Sequence, residues 1–265
     1  MSDDPFAHLK AVQREAWAVF APLEAVTTMP AAELVRHARV LPQQSVLDVG
    51  CGTGVVALTA AHLGARVRGL DLAPALIEQA KKNAALAGVE IDFQEGDVEA
   101  LPYDNATFDV VLSQFGHMFA PRPEVAIAEM LRVLKPNGTI AFSTWPPEHF
   151  VGQMFALVGK YQPPPPGAAP PPQWGDPNII RERLGEAVTD IMFDRGVMCF
   201  PTLSPQHYRK VLEETLGPVV KLVQTLQGDA STLATFRAEL DGFIGRHLEN
   251  NMLRQHYLMT RAIKC

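Results

Sequence analysis

The stretch that most limits what this chain can fold into is Val46-Leu47-Asp48-Val49-Gly50-Cys51-Gly52-Thr53-Gly54, an apolar run stopped by alternating glycines and followed by helical periodicity from Val55 to Leu63. It predicts a buried strand, a tight turn and a helix. Val46, Leu47 and Val49 suit a strand covered on both faces, as in a parallel sheet whose crossover helices exclude water. Gly50, Gly52 and Gly54 let backbone N–H groups approach a ligand where any Cβ would collide, with a helix N-terminus just behind them. Such a loop suits a small ligand with a polar or anionic end.

The flanking sequence repeats the alternation. Before the loop, Ala11, Trp17, Phe20, Leu23 and Leu34 have helical spacing with a break at Thr27-Thr28-Met29-Pro30, which predicts two helices, the second starting at Pro30. After it, Ala65 to Leu70 predicts a second strand ending at Asp71, and Pro74 to Ala87 a helix with Gly88 as its C-terminal cap. Ile91 to Gln94 and Phe108 to Ser113 predict the third and fourth strands. A helix from Pro123 to Leu134, closed by Lys135-Pro136-Asn137-Gly138, leads to a fifth from Thr139 to Trp145. Strands alternating with helices imply a doubly wound α/β sheet that binds ligands beyond the carboxyl ends of its strands.

From Pro146 the pattern changes. Pro163-Pro164-Pro165-Pro166 and Pro170-Pro171-Pro172 exclude a sheet interior, and predict a stiff surface loop leading back towards the active edge; a proline-rich ligand for another protein is the sharper alternative. Beyond it, a sixth strand within Val188 to Phe200, helices at Pro205 to Leu216 and Thr232 to Leu248, and a last strand from Arg254 to Ile263 are expected. The chain therefore divides into an N-terminal helical cap (1–45), a ligand-binding core (46–145) and a region expected to select the substrate (146–265).

Composition closes off other classes. With 265 residues, 47% of them hydrophobic, the chain can bury a core, and a net charge of −6 with scattered lysines and arginines lacks the basic footprint of a nucleic-acid binder. Cys51, Cys199 and Cys265 fit neither a disulfide framework nor a zinc site, which points to a reducing cytoplasm. No His/Asp/Glu cluster has metal-ligand spacing. Met1-Ser2-Asp3-Asp4 opens acidic, and no apolar run approaches the ~18 residues of a membrane span. Nothing fixes the oligomeric state.

The chemistry rests on acids along one sheet edge. Gly52-Thr53-Gly54-Val55-Val56-Ala57 also fits a loose dinucleotide pattern with alanine last, and Asp71 can accept both ribose hydroxyls in either cofactor class. Asp48 ahead of the glycines and Asp97 in Glu95-Gly96-Asp97 tilt the balance. These residues, with Leu70-Asp71, Val98-Glu99-Ala100-Leu101-Pro102-Tyr103, Phe108-Asp109-Val110-Val111 and Leu131-Arg132-Val133-Leu134-Lys135-Pro136-Asn137-Gly138, form an ordered set across residues 46–145. That set resembles the class I S-adenosylmethionine-dependent methyltransferases, and within them the small-molecule enzymes similar to the ubiquinone/menaquinone-biosynthesis group (methyltransferase type 11).

The resemblance implies a mostly parallel, seven-stranded Rossmann-like sheet, with a lid built from the N-terminal helices and residues 146–252. It implies in-line methyl transfer from S-adenosyl-L-methionine to a small-molecule acceptor. Gly50, Gly52 and Gly54 then correspond to the backbone around the methionine part, with Asp48 near its ammonium. Asp71 corresponds to the ribose acid, Leu72 to a wall of the adenine, and Asp97 with Val98 to the pair at its amino edge. Ser113 and Gln114 correspond to the rim under the sulfonium. His117 follows the fourth strand where the methyl should emerge, so it is a candidate proton acceptor or pocket wall. Trp17 and Phe20 suit core packing or substrate contact, and Cys51 a small loop filler. An NAD(P)-dependent oxidoreductase and a non-catalytic cofactor-binding module are the alternatives.

Overall fold

A computed structural model describes residues 4–265, so Met1, Ser2 and Asp3 of the acidic N-terminus lie outside the described residues. Helix α1 (Ala7–Ala16) passes through two 3₁₀ turns, Trp17–Val19 and Ala21–Leu23, into α2 (Glu24–His37). Then follow β1 (Ser45–Val49), α3 (Val55–His62), β2 (Arg66–Asp71), α4 (Pro74–Ala87), β3 (Asp92–Glu95), β4 (Phe108–Gln114), α5 (Pro123–Val133) and β5 (Leu134–Thr144). The remainder comprises α6 (Phe150–Tyr161), α7 (Pro177–Leu184), β6 (Val188–Pro201), α8 (Pro205–Thr215), α9 (Gly217–Leu226), α10 (Ala230–His247), β7 (Leu248–Glu249) and β8 (Met252–Lys264).

The strands form one sheet in the order β3-β2-β1-β4-β5-β8-β6, with the short β7 folded onto β8. Strands β1 to β5 pair in parallel, whereas β8 runs antiparallel to both β5 and β6. The order reverses between β1 and β4, which opens a crevice at their carboxyl ends. Helices cover both faces. Val46, Val110, Leu112 and Ala141 pack with α2 and α3, while their neighbours Leu47, Val111, Ile140 and Phe142 join a second core on the opposite face. Alternate apolar residues of the central strands therefore serve opposite cores, which is why these strands read as apolar runs.

Two sequence expectations move. The break between the first helices falls at Ala21-Pro22 rather than Pro30, which sits buried inside α2. Pro22 fits the first turn of the second 3₁₀ segment; Pro30 removes one helical donor, while the nearby Thr27 carbonyl takes a hydrogen bond from Gln114. Helices α6, α7 and α9 were not expected from the sequence; α7 and α9 carry a proline in their first turn, a residue that breaks a helix interior but fits its start. The proline stretch returns to the sheet edge: Ala169 N–H donates to the Pro121 carbonyl at 3.1 Å, and Trp174, 1% exposed, packs against His117 and Phe142.

The ends of β1 and β4 meet at two glycines. A Cβ on Gly116 would stand 2.6 Å from the Gly50 carbonyl oxygen and 2.8 Å from its Cα, both backbone atoms that cannot swing aside. Gly116→Ala is expected to cost about 1–3 kcal/mol in urea unfolding. Gly228→Ala, whose Cβ would meet nothing within 4 Å, should stay within about 0.5 kcal/mol. Equal effects would contradict this packing.

Candidate active site

One cavity opens over the carboxyl ends of the parallel strands, and its wall includes Asp48, Gly50, Gly52, Asp71, Leu72 and Asp97. Val98, Gln114, His117, Trp17 and Phe20 also line it. Positions from Asp48 to His117 converge here because β1, β2, β3 and β4 are neighbours in parallel register, Asp71 pairing with Glu95 just before Asp97.

The three glycines do different work. All have left-handed backbones (φ +64° at Gly50, +55° at Gly52, +87° at Gly54), which any side chain would strain. An added Cβ at Gly52 would meet nothing within 4 Å, so this residue presents bare backbone to the cavity. At Gly54 it would stand 2.8 Å from Leu58 and 2.9 Å from Phe93, and Gly54 does not line the cavity. Gly54 thus lets α3 and α4 pack on the sheet, and it lies off the cavity wall on which its sequence reading placed it.

Asp48, near the end of β1, is 1% exposed and has no cation beside it among the described residues. Its Oδ2 accepts from the Ala57 N–H of α3 at 3.0 Å, and its Oδ1 has no partner. Burial pushes its pKa up to about 8, opposed only by that amide. Asp71 ties the loop together: Oδ2 accepts from Gly52 N–H and Oδ1 from Ala73 N–H, both at 2.8 Å. Burial raises its pKa as well, against those amides. Neither oxygen has exhausted its lone pairs, so hydroxyl donors can still be met.

Asp97 carries a partner that sequence did not reveal. Lys10 Nζ of α1 lies 2.6 Å from Asp97, 2.6 Å from Glu99 and 2.7 Å from Asp4. Burial alone would lower the lysine, but its three carboxylates raise its pKa. The same acids have metal-ligand spacing, and the ammonium fills their centre. Arg122 completes the cluster at 2.6 Å from Glu99. The cluster clamps α1 onto the edge next to Leu72 and Val98.

Ser113 stands behind the wall and His117 is part of it. Ser113 is fully buried and off the cavity; its hydroxyl donates to the Val49 carbonyl at 2.6 Å and accepts from His117 N–H at 3.1 Å, which fixes the loop after β4. Its expected place at the rim is corrected to one beneath it. The His117 ring packs 4.7 Å from both Phe142 and Trp174, and neither ring nitrogen has a partner. Burial, then the nearby Arg183, lowers its pKa to about 3. Gln114 donates to the Thr27 carbonyl at 2.9 Å, leaving its buried Oε1 unpartnered. Phe115, missed in the sequence, holds a left-handed backbone (φ +62°) and stacks 3.9 Å from Trp145 on the cavity wall. Cys51 also lines the cavity, and burial keeps its thiol protonated.

The buried acid has a measurable signature. Between the unfolded carboxyl value near 3.8 and the folded value near 8, the native chain retains a proton that the unfolded chain has lost. Native stability therefore falls as pH rises through that window. Asp48→Asn should be the more stable protein when ligand-free, its advantage over wild type growing from pH 5 to pH 8 by up to about 1.4 kcal/mol per unit. Parallel stability–pH curves would contradict the placement.

Comparison with known proteins agrees with this geometry. A family model described as a methyltransferase domain matches residues 47–142. An uncharacterised protein of Mycobacterium tuberculosis is 32% identical over 222 residues, spanning 83% of this chain and 81% of the relative. A ubiquinone biosynthesis O-methyltransferase of Nitrosococcus oceani is 35% identical over 130 residues, 48% of this chain and 54% of that one. Among solved structures, the YcgJ protein of Bacillus subtilis superposes with a TM-score of 0.60 at 18% identity, over 89% of this chain and 98% of that one. The unpartnered Asp48 oxygen suits an ammonium, the bare Gly52 backbone a closely approaching chain, and Asp71 a ribose, so the residues present fit the methyl donor of that family. By sheet order, site and these likenesses, the chain belongs to the class I S-adenosylmethionine-dependent methyltransferases, with S-adenosylmethionine as its cofactor.

Proposed function

We propose that the acceptor is a small molecule, bound between the acid-lined strand edge and a cap made from the N-terminal helices and the chain beyond residue 146, and methylated by in-line displacement. The observation that carries this reading is the continuity of the cavity. The wall that holds Asp48, Asp71 and Asp97 runs on to Trp17 and Phe20 before β1, and to Val151, Met154 and Phe155 of α6.

Bound at that edge, S-adenosylmethionine supplies a methyl group on a positively charged sulfur, an electrophile that needs no further activation. In this reading Asp48 balances the ammonium of the methionine part and Asp71 accepts from the ribose. Leu72 and Val98 flank the adenine, with Asp97 at its amino edge. Gln114 and the Phe115–Trp145 stack hold the reacting end. The protein's contribution is then orientation of the two reactants and exclusion of water, which in favourable cases is worth about 7–11 kcal/mol of the barrier.

His117 takes a packing role in this reading. With a pKa near 3 its ring is neutral at physiological pH and a weak base, and its two aromatic neighbours lie off the cavity. The cytoplasm is the proposed location, supported by three unpaired cysteines, two of them exposed. No single helix among the described residues is long and apolar enough to cross a membrane.

S-adenosylhomocysteine is expected to raise the melting temperature, stabilising the native state by about 2.7 kcal/mol at one hundred times its Kd, while NADH leaves it unchanged. Asp71→Ala should abolish the shift. The opposite ligand preference, in differential scanning calorimetry, would refute the reading. His117→Leu should lower kcat by less than about tenfold, against the 10²–10⁴ that removal of a general base costs. A larger loss, confined to kcat, would return His117 to the chemistry.

A further inference from the structure

The cavity is divided by polarity. Its charged wall residues, Lys10, Asp48, Asp71 and Asp97, all lie towards the ends of β1, β2 and β3. The opposite lobe is walled by the turn after α1 and by α6, β6, α8 and β8. Trp17, Phe155, Met198, Phe200, Leu212 and Leu216 represent it, and no charged side chain among the described residues lines it. Lys10 cannot serve that lobe as a counter-ion, since three carboxylates already surround it.

Two polar side chains interrupt this apolar lobe. Tyr208 of α8 and Gln255 of β8 are each 3% exposed, both line the cavity, and Gln255 Nε2 donates to the Tyr208 hydroxyl at 2.7 Å. The Phe200 ring packs edge-on at 4.8 Å from Tyr208, and Phe150 lies 6.0 Å away, so the pair sits in an apolar frame. One hydrogen bond does not exhaust it. A phenol offers one proton and two lone pairs, and a primary amide two of each. Whichever way the amide is turned, hydrogen-bonding capacity is left over, and burial keeps the phenol protonated as a donor. Unspent capacity inside an apolar wall is costly unless something meets it. The other glutamine on this side, Gln13, already donates to the Phe119 carbonyl.

We propose that the acceptor is an uncharged, largely apolar molecule carrying a hydroxyl or carbonyl oxygen, and that Tyr208 and Gln255 select it by hydrogen bonding to that oxygen. A carboxylate, phosphate or ammonium in this lobe would lose its hydration with no partner of opposite charge. Tyr208 and Gln255 are specificity residues of the acceptor end and leave the cofactor edge untouched. This inference rests on the methyltransferase reading above and specifies its substrate class.

The test uses protein saturated with S-adenosylhomocysteine and two fluorescent probes of one skeleton. These are the neutral N-phenyl-1-naphthylamine and its sulfonate, 8-anilino-1-naphthalenesulfonate. The neutral probe is expected to bind about tenfold or more tightly. It should be displaced by 4-heptylphenol about five- to tenfold better than by heptylbenzene, which lacks the oxygen. In the Tyr208→Phe/Gln255→Leu protein the phenol should lose that advantage while the Kd for S-adenosylhomocysteine stays within about twofold. Equal or tighter binding of the sulfonate by the wild type overturns the inference, and needs no variant that might misfold. So does a phenol preference that survives the double substitution. Failure of the wild type to bind S-adenosylhomocysteine at all would instead sink the reading on which the inference rests.

Discussion

A carboxylate buried at the end of a strand with one of its oxygens unpartnered is the constraint around which this protein is arranged. Asp48 is placed by β1, which neighbours β2 and β4 and is covered on both faces, so it cannot move out to water. One amide of α3 is all that the fold gives it. In the proposed reading the cost of holding it there is recovered when the ammonium of the cofactor arrives beside it, next to the turn that follows. Gly52 presents bare backbone, Asp71 anchors that backbone through the Gly52 amide, and Gly50 packs against Gly116 too closely for a Cβ on either.

From that edge outward the molecule sorts its wall by chemistry. Acids and their amides stand at the strand ends, the place proposed above for the charged, hydroxylated cofactor. Aromatic and aliphatic side chains from both ends of the chain close the other side. Lys10 joins the two regions. It comes from the N-terminal helix, sits 8% exposed among three carboxylates, and links α1 to Asp97 at the cofactor edge. A charge buried with that many partners is costly to uncover, because removing any one leaves the rest unbalanced.

The core of this arrangement was legible in the sequence because parallel strands leave a strong mark. Runs such as Val46-Leu47 and Val110-Val111 are apolar at every position since alternate residues feed opposite cores, and the acids at their ends stand out against them. Roles within the motif were less legible. Gly54 looks like Gly52 in sequence, but the two differ in what surrounds them, Phe93 and Leu58 in one case and open space in the other. Ser113 and Gln114 are adjacent, and strand alternation sends one beneath the wall and the other onto it. Lys10 gave no signal, since its partners are far away in the chain. Past residue 146, first-turn prolines disguised α7 and α9, and the Tyr208–Gln255 pair links an ordinary helix position to an ordinary strand position.

The account turns on Asp48 being protonated without ligand and ionised beside the donor's ammonium. Titration calorimetry of S-adenosylhomocysteine at pH 7, repeated in buffers of different ionisation enthalpy, measures that change directly. The account predicts release of about one proton on binding by the wild type and almost none by Asp48→Asn, whose affinity should also be weaker. Tight binding with no proton released, or an unchanged release after the substitution, would contradict it.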